Sequence, residues 1–294
     1  MKTLQTNQQV SKAMRAVRQA GKTVAFVPTM GNLHEGHLQL VRKAKQVADT
    51  VIVSIFVNPL QFNASEDLES YPRTLKADKE KLFAEGVNHL FYPDVAEIYP
   101  EGMEGQSLVT VPDLSDTLCG LNRPGHFTGV ATVVSKLFNI VQPDIAIFGK
   151  KDFQQLAIIE KMVKDLCMPI NIIGVDTARD VDGLALSSRN GRLTKAQRQI
   201  APKLHDMLQE CRKAIVCGFD SYPELEQHCT MELKKAGFEP DYFSVRDAQT
   251  LANATPSTEQ IVILAAAKLG KPRLIDNVTL TLNPNTDWGM LATH

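Results

Sequence analysis

An α/β protein, with a doubly wound parallel sheet followed by a smaller α+β unit, is the fold this sequence predicts. Three observations lead there. Short β-branched runs alternate with amphipathic helical stretches over residues 1–176, the pattern of strand–helix–strand units. The run Asp49-Thr50-Val51-Ile52-Val53-Ser54-Ile55-Phe56-Val57 is nearly continuous in apolar residues, as parallel strands covered on both faces are. After Asp180-Val181-Asp182-Gly183 the alternation stops, and helices are followed by several strands. The boundary is expected near 177–185, giving a Rossmann-like domain over 1–178 and an α+β domain over 179–294. A cleft between them is the expected site.

The elements follow in order. Residues 5–20 read as a helix. Thr23 to Val27 read as a buried strand, and Pro28, Gly31 and Asn32 punctuate a turn. Leu33, His37, Leu40, Val41, Ala44 and Val47 then recur at helical spacing. The strand at 49–57 ends in the polar loop Asn58-Pro59-Leu60-Gln61-Phe62-Asn63, at the carboxyl end where open α/β sheets bind ligands. Arg73–Glu85 reads as a helix, His89–Pro93 as a short strand, and 107–111 as a strand within the loop-rich stretch 94–125. Phe127–Val141 reads as a helix, Asp144–Phe148 as a strand, Gly149–Asp152 as a polar turn, Phe153–Leu166 as a helix and Asn171–Val175 as a strand. Beyond the boundary, Lys195–Val216 and Tyr222–Ala236 read as single helices. Tyr242–Val245, Ile261–Ala267 and Arg273–Asn277 read as strands.

Composition narrows the function classes. The chain has 294 residues, a hydrophobic fraction of 44% and a formal net charge of −1. No global field draws it to nucleic acid or to an acidic membrane, so any anion site is local. No apolar run has membrane-span length and the N-terminus is polar. Five cysteines, an odd number without Cys-x-x-Cys, argue for a reducing cytoplasm and against a disulfide framework.

Five clusters carry chemistry. His34 and His37, three apart around Gly36, fall in or near the first turn of a helix. Helix N-termini attract anions, and Gly36 has no Cβ to obstruct a ligand. Two surface histidines in an ordinary turn is the plainer alternative. Zinc is weaker, since His-Glu-Gly-His lacks the spacing of a zincin helix. Asn58 and Gln61 are amides able to hold a hydroxyl and a carboxylate together, or simply to cap a loop. Arg123, beside Pro124 and Gly125, can clamp an anion or stay solvated. In Gly149-Lys150-Lys151-Asp152, the lysines suit a phosphoryl group, and Asp152 can be an N-cap. Gln155, one turn on, is expected to share the space of Asp152. Ser187, Ser188 and Arg189 form a compact anion-binding set, or a solvated turn.

No Walker loop, Gly-x-Gly-x-x-Gly fingerprint or Gly-x-Ser-x-Gly elbow is present. What remains resembles the nucleotidyltransferases with His-x-Gly-His and a mobile Lys/Ser-rich loop. The runs Val27 to His37, Phe56 to Phe62, Tyr71-Pro72-Arg73, Arg123 to Phe127, Phe148 to Gln155 and Asp182 to Asn190 together resemble the pantothenate synthetase family along nearly the whole chain. Lys150 and Leu186 stand where many relatives carry Glu and Met.

The resemblance implies ATP-dependent condensation of pantoate with β-alanine, through a pantoyl adenylate, to pantothenate, AMP and pyrophosphate, with Mg²⁺. It implies a cytoplasmic homodimer whose partners are small molecules, with no nucleic acid or membrane. It makes His34, His37 and Lys151 catalytic, with His37 a proton donor. Met30, Gly31, Asn32, Leu33, Glu35 and Gly36 line the nucleotide with the two histidines. Gly149, Lys150, Lys151 and Asp152 bind ATP, Lys151 at the phosphates and Asp152 at the ribose. Ala178 touches adenine, and Leu186, Ser187, Ser188 and Arg189 close over the triphosphate. Gln61 and Gln155 hold pantoate, and Gln61 also serves β-alanine. Asn58, Asp78 and Arg123 support the pocket, with Asp78 the metal ligand. Two rivals stand beside this: another nucleotidyltransferase, acting on a pantetheine phosphate or a nicotinamide nucleotide, and a nucleotide-binding module without catalysis.

Overall fold

The structure, a computed structural model, describes residues 1–62, 68, 69 and 71–282. Asn63 and residues 283–294 of the expected second domain lie outside the described residues. The chain forms two compact units, Met1–Ala178 and Arg179–His294.

The first unit runs β1 (Lys2–Leu4), α1 (Asn7–Gln19), β2 (Val24–Thr29), α2 (Glu35–Val47), β3 (Thr50–Ile55), a 3₁₀ turn at Pro59–Gln61, α3 (Leu75–Ala84) and β4 (His89–Phe91). It continues with α4 (Val95–Ile98), α5 (Cys119–Asn122), α6 (His126–Val141), β5 (Ile145–Gly149), a 3₁₀ turn at Lys150–Asp152, α7 (Phe153–Asp165) and β6 (Asn171–Val175). The six strands pair in parallel in the order β1-β4-β3-β2-β5-β6. This is the doubly wound sheet that the alternation predicts.

Each face has its own core. Ala25 and Val27 of β2 pack with Val51 and Val53 of β3 and with Leu40, Val41 and Ala44 of α2. On alternate positions Phe26 meets Phe138 of α6 edge-on at 6.4 Å, and Phe138 meets Phe148 of β5 at 6.3 Å. Period-two alternation sends neighbouring residues to opposite faces, so a strand buried on both sides is apolar throughout. All six residues of β3 are buried.

The structure departs from the sequence reading where local signals are weakest. β1 is three residues long and gains its place only by pairing with β4. No strand forms over 107–111; the Val109 N–H is taken by the Thr132 hydroxyl at 2.9 Å instead of a ladder. The helix expected over Lys195–Val216 is divided into α8 (Lys195–Ile200) and α9 (Lys203–Val216). Pro202 lies between them, and its ring and missing N–H do not fit a helix interior.

In the second unit α9 and α10 (Tyr222–Lys235) pack on an antiparallel sheet of β7 (Glu239–Asp247), β8 (Gln260–Lys268) and β9 (Arg273–Thr281). Its core joins Leu204, Leu208 and Leu233 to Ile261, Ile263 and Leu274. One ion pair, with its carboxylate buried, fastens the start of this unit to its sheet. Arg179 donates to the Asp276 carboxylate from both terminal nitrogens, at 2.6 and 2.9 Å, and to the Gly183 carbonyl at 3.0 Å. Burial alone would raise the Asp276 carboxyl, but hydrogen bonds from His205 and Arg179 outweigh it and hold the group below its ordinary value.

Removing the guanidinium leaves the buried Asp276 carboxylate without its bidentate partner. Arg179→Ala is therefore expected to lose about 3–5 kcal/mol of the second unit's stability, read as a lowered urea midpoint. An unchanged midpoint would show that the pair carries no net stabilisation.

Candidate active site

From β2 the chain steps to β3 and β4 on one side, and from β5 to β6 on the other. The strand order therefore reverses between β2 and β5. Doubly wound sheets bind ligands outside the carboxyl ends of strands at that reversal. β2 and β5 are in register only at Ala25 and Phe26, so pairing ends two residues before Pro28, which has no N–H to give. The two strand ends lead into Met30–His34 and Lys150–Asp152, the sites of the two strongest sequence clusters.

The first loop is shaped by a carboxylate. Gly31 and Asn32 take positive φ of 82° and 50°. A Cβ on Gly31 would stand 3.0 Å from Ile55 and 3.2 Å from the Asp78 carboxylate. Asp78, on α3 and almost fully buried, accepts the Leu33 N–H at 2.8 Å on one oxygen. Its other oxygen accepts the Asn32 N–H at 2.9 Å and the Thr74 hydroxyl at 3.0 Å. Both oxygens thus hold the loop in place. Among the described residues no group of three or more His, Cys, Asp or Glu could hold a metal ion.

The loop delivers His34 to the N-cap of α2. The His34 Nδ1 accepts the Gly36 N–H at 3.2 Å, and the His37 Nδ1 accepts the His34 N–H at 3.3 Å. This reciprocal capping box leaves each Nδ1 an acceptor, so in the neutral rings the proton sits on Nε2. A Cβ on Gly36 would lie 3.0 Å from the His34 ring, so the bare position also leaves room for that imidazole. The Glu35 carboxylate is paired with Arg42.

Both histidines are held neutral. Burial lowers His37 to about 3, and the neighbouring His34 adds to the effect. Burial also lowers His34, reinforced by Lys151 and then Lys81. The site thus gathers two neutral Nε2–H donors and two ammonium groups near one helix start. Lys81, whose ammonium donates to the Leu33 carbonyl, belongs to none of the sequence clusters. Its one signal is the i, i+3 spacing from Asp78 on α3, which places both side chains on one helical face. Lys151 lies 4.0 Å from Asp152. Asp152 occupies the N-cap position of α7 without a capping hydrogen bond from its side chain.

The amide cluster is also assembled. Asn58 Nδ2 donates to Gln61 Oε1 at 3.1 Å, and Gln61 Nε2 approaches Met30 Sδ at 3.2 Å. Arg123 donates to His126 Nε2 at 2.8 Å, and His126 Nδ1 donates to the Gln61 carbonyl at 2.8 Å. Arg123 therefore meets the Gln61 backbone through His126. The two glutamines of α7 separate in role. Gln154 is buried and fastens the Leu114 and Thr117 carbonyls and the Cys119 N–H, whereas Gln155 is half-buried. Lys150 is ion-paired with Asp176 at 2.7 Å. Ala178 comes beside Gly36, with its Cβ 3.6 Å from the position a Gly36 Cβ would take. Leu186–Arg189 belong to the second unit. There the Ser187 hydroxyl caps the 3₁₀ turn Ser188–Arg192 through the Arg189 N–H at 3.2 Å, and Arg189 is exposed.

Comparison with known proteins places this geometry in context. The family model described as pantoate-beta-alanine ligase matches residues 2–279. The pantothenate synthetase of Pseudomonas fluorescens (strain SBW25) is 58% identical over 283 residues, 96% of this chain and 100% of that protein. That of Shewanella loihica is 57% identical over 93% of this chain and 98% of its own length. The crystal structure of pantothenate synthetase from Thermus thermophilus superposes with a TM-score of 0.88 at 41% identity, covering 95% of this chain and 99% of that one. The pantoate-beta-alanine ligase of Francisella tularensis, solved with beta-gamma ATP and beta-alanine, gives 0.79 at 35% identity over 95% and 97%.

The His37 shift has a consequence for acid stability. Above about pH 6.5 the ring is neutral in both folded and unfolded chains. Between 6.5 and about 3 only the unfolded chain takes up the proton, so stability falls as pH falls. His37→Asn keeps an acceptor for the cap and removes the titrating group. Its melting temperature is expected to decline less than the wild type's between pH 7 and 5. Parallel declines would contradict a buried, neutral His37.

Proposed function

The chain belongs to the pantoate–beta-alanine ligase family, and we propose how its own residues divide the work. The protein is a pantothenate synthetase: a ligase that condenses pantoate with β-alanine using ATP. The rival nucleotidyltransferase and the non-catalytic module give way to this full-length match.

In our reading a pantoate carboxylate oxygen attacks the α-phosphorus of ATP, pyrophosphate leaves, and the amine of β-alanine then attacks the acyl adenylate and releases AMP. No protein nucleophile is required, so catalysis is positioning and charge stabilisation. The observation that supports this assignment is the cluster of His34, His37, Lys81 and Lys151 about the start of α2. Two anionic substrates meet there, and cations with preorganised N–H donors offset their repulsion. His34 and His37 act as neutral Nε2–H donors to phosphate oxygens; with a value near 3, His37 is not a resident imidazolium in the free protein. Lys151 faces the phosphates and Asp152 the ribose. Met30–Gly36, Gly149 and Ala178 form the nucleotide wall. Gln61 and Gln155 hold pantoate, with Asn58 and Arg123 supporting Gln61. By the family resemblance, Ser187, Ser188 and Arg189 are donors for the triphosphate, with Leu186. Lys150 and Glu35, each in an ion pair, have lesser roles.

We assign magnesium to the nucleotide's phosphates, its common mode of binding, with Asp78 the protein carboxylate carried over for it by resemblance. Free thiols at all five cysteines suit a cytoplasmic setting. The homodimer is the family's assembly carried over by resemblance.

Lys151→Ala tests the division of labour. Loss of a charge that stabilises the departing pyrophosphate is expected to slow pantoyl-adenylate formation about 100- to 1,000-fold. Conversion of supplied pantoyl adenylate and β-alanine should fall less than about tenfold, because a neutral amine attacks and AMP leaves. Single-turnover assays of the two half-reactions decide it; equal slowing of both would remove Lys151 from the phosphate-transfer step.

A further inference from the structure

Tyr99, directly after α4, is almost fully buried, yet its hydroxyl is not idle. It donates to Asn58 Oδ1 at 2.6 Å. Its ring is packed at 6.2 Å from Phe56, and the Lys136 ammonium stands 4.5 Å above the ring centroid while donating to the Ile98 carbonyl at 2.9 Å. Burial pushes the phenol well above its ordinary range, so the proton needed for this donation is retained at every pH at which the enzyme can be assayed.

Asn58, only 1% exposed, uses its whole hydrogen-bonding capacity. Its oxygen takes the Tyr99 hydroxyl and, more distantly at 3.3 Å, the Leu60 N–H. Its amino group gives one proton to the Gly129 carbonyl and one to Gln61 Oε1, each at 3.1 Å. Turning the amide over would set its NH₂ against the Leu60 N–H and its oxygen against the Gly129 carbonyl. The orientation of Asn58 therefore dictates that of Gln61. With Gln61 Oε1 engaged as an acceptor, the Nε2 end is left to face Met30, whose thioether is only a weak acceptor. A carboxylate or hydroxyl oxygen is a far stronger partner for that NH₂. The reversed amide would present an oxygen to an anion.

The backbone beneath is held as firmly. Gly129 admits no Cβ, which would lie 2.5 Å from the Leu60 carbonyl oxygen and 2.8 Å from Gln61 Cα. The Gln61 carbonyl accepts from His126.

We propose that Tyr99 is a positioning residue for the hydroxy acid. Its hydroxyl fixes Asn58, Asn58 fixes the Gln61 amide, and Gln61 thereby offers a donor rather than an acceptor to the pantoate oxygens. The inference rests on the assignment of Gln61 to pantoate, so the test includes that residue. Tyr99→Phe keeps the ring against Phe56 and Lys136 and removes only the hydroxyl. It is expected to raise the pantoate KM about tenfold, equivalent to about 1.4 kcal/mol, the scale of one hydrogen bond. The ATP KM and kcat should stay within about threefold of wild type and the melting temperature should be nearly unchanged. Gln61→Ala should lower kcat/KM for pantoate, and adding Tyr99→Phe to it should cause no further loss, since the relay then ends on a missing group. A wild-type pantoate KM in Tyr99→Phe overturns the proposal. So does an effect that persists undiminished in the Gln61→Ala background, or one that moves both substrates together with a fall in melting temperature. An unchanged kcat/KM for pantoate in Gln61→Ala itself overturns the Gln61 assignment, and the relay with it.

Discussion

Two backbone N–H groups between β2 and α2, those of Asn32 and Leu33, belong to neither element, and one buried carboxylate takes them both. Asp78 reaches across 45 and 46 residues of sequence to do so. Buried backbone donors without partners cost about 1–3 kcal/mol each, so the loop's conformation is bound to α3. That conformation, with positive φ at Gly31 and Asn32, delivers His34 to the helix cap. The cap in turn orients both imidazoles. The Nε2–H groups on which the nucleotide assignment depends are thus a consequence of a carboxylate on α3.

The electrostatics follow from the same arrangement. Buried neutral imidazoles are good donors that carry no charge to desolvate, and the positive charge is supplied by Lys81 and Lys151 on flexible stems. A pair of imidazolium rings with centroids 4.2 Å apart would repel each other and the lysines. Keeping them neutral lets four groups share a small volume. The amide pocket works by a comparable rule: Asn58 and Gln61 have no net charge, and their polarity is set by neighbours rather than by pKa.

Much of the fold is legible in the sequence because it is local. The β-branched runs and the 3.6-residue spacing of α2, α6 and α7 are periodicities of adjacent residues, and the two histidines, Lys151 and Gln61 sit at strand ends that those periodicities locate. What is not legible is held by contacts distant in sequence. Three residues of β1 carry no period, and only β4 makes them a strand. Val109 and its neighbours read as a strand, but Thr132 takes the N–H that a ladder would need. Pro202 is visible but outweighed by the apolar spacing of Lys195–Val216, although its ring forbids the continuous helix. For Asp78 a sequence shows the carboxylate's charge but not that its oxygens hold the Asn32 and Leu33 N–H groups. Tyr99, 41 residues from Asn58, gives no signal beyond being an aromatic in a loop-rich stretch. Gly36 shows the same limit in miniature: its need for space is visible, but the occupant of that space is not.

The capping box leaves His34 and His37 neutral, with the proton on Nε2. Nitrogen-15 imidazole spectra of the free enzyme at pH 7, assigned with His34→Asn and His37→Asn, test it directly. Two neutral rings are expected, each with a protonated Nε2 and an unprotonated Nδ1. An imidazolium signal, or a proton on Nδ1, at either residue would contradict it.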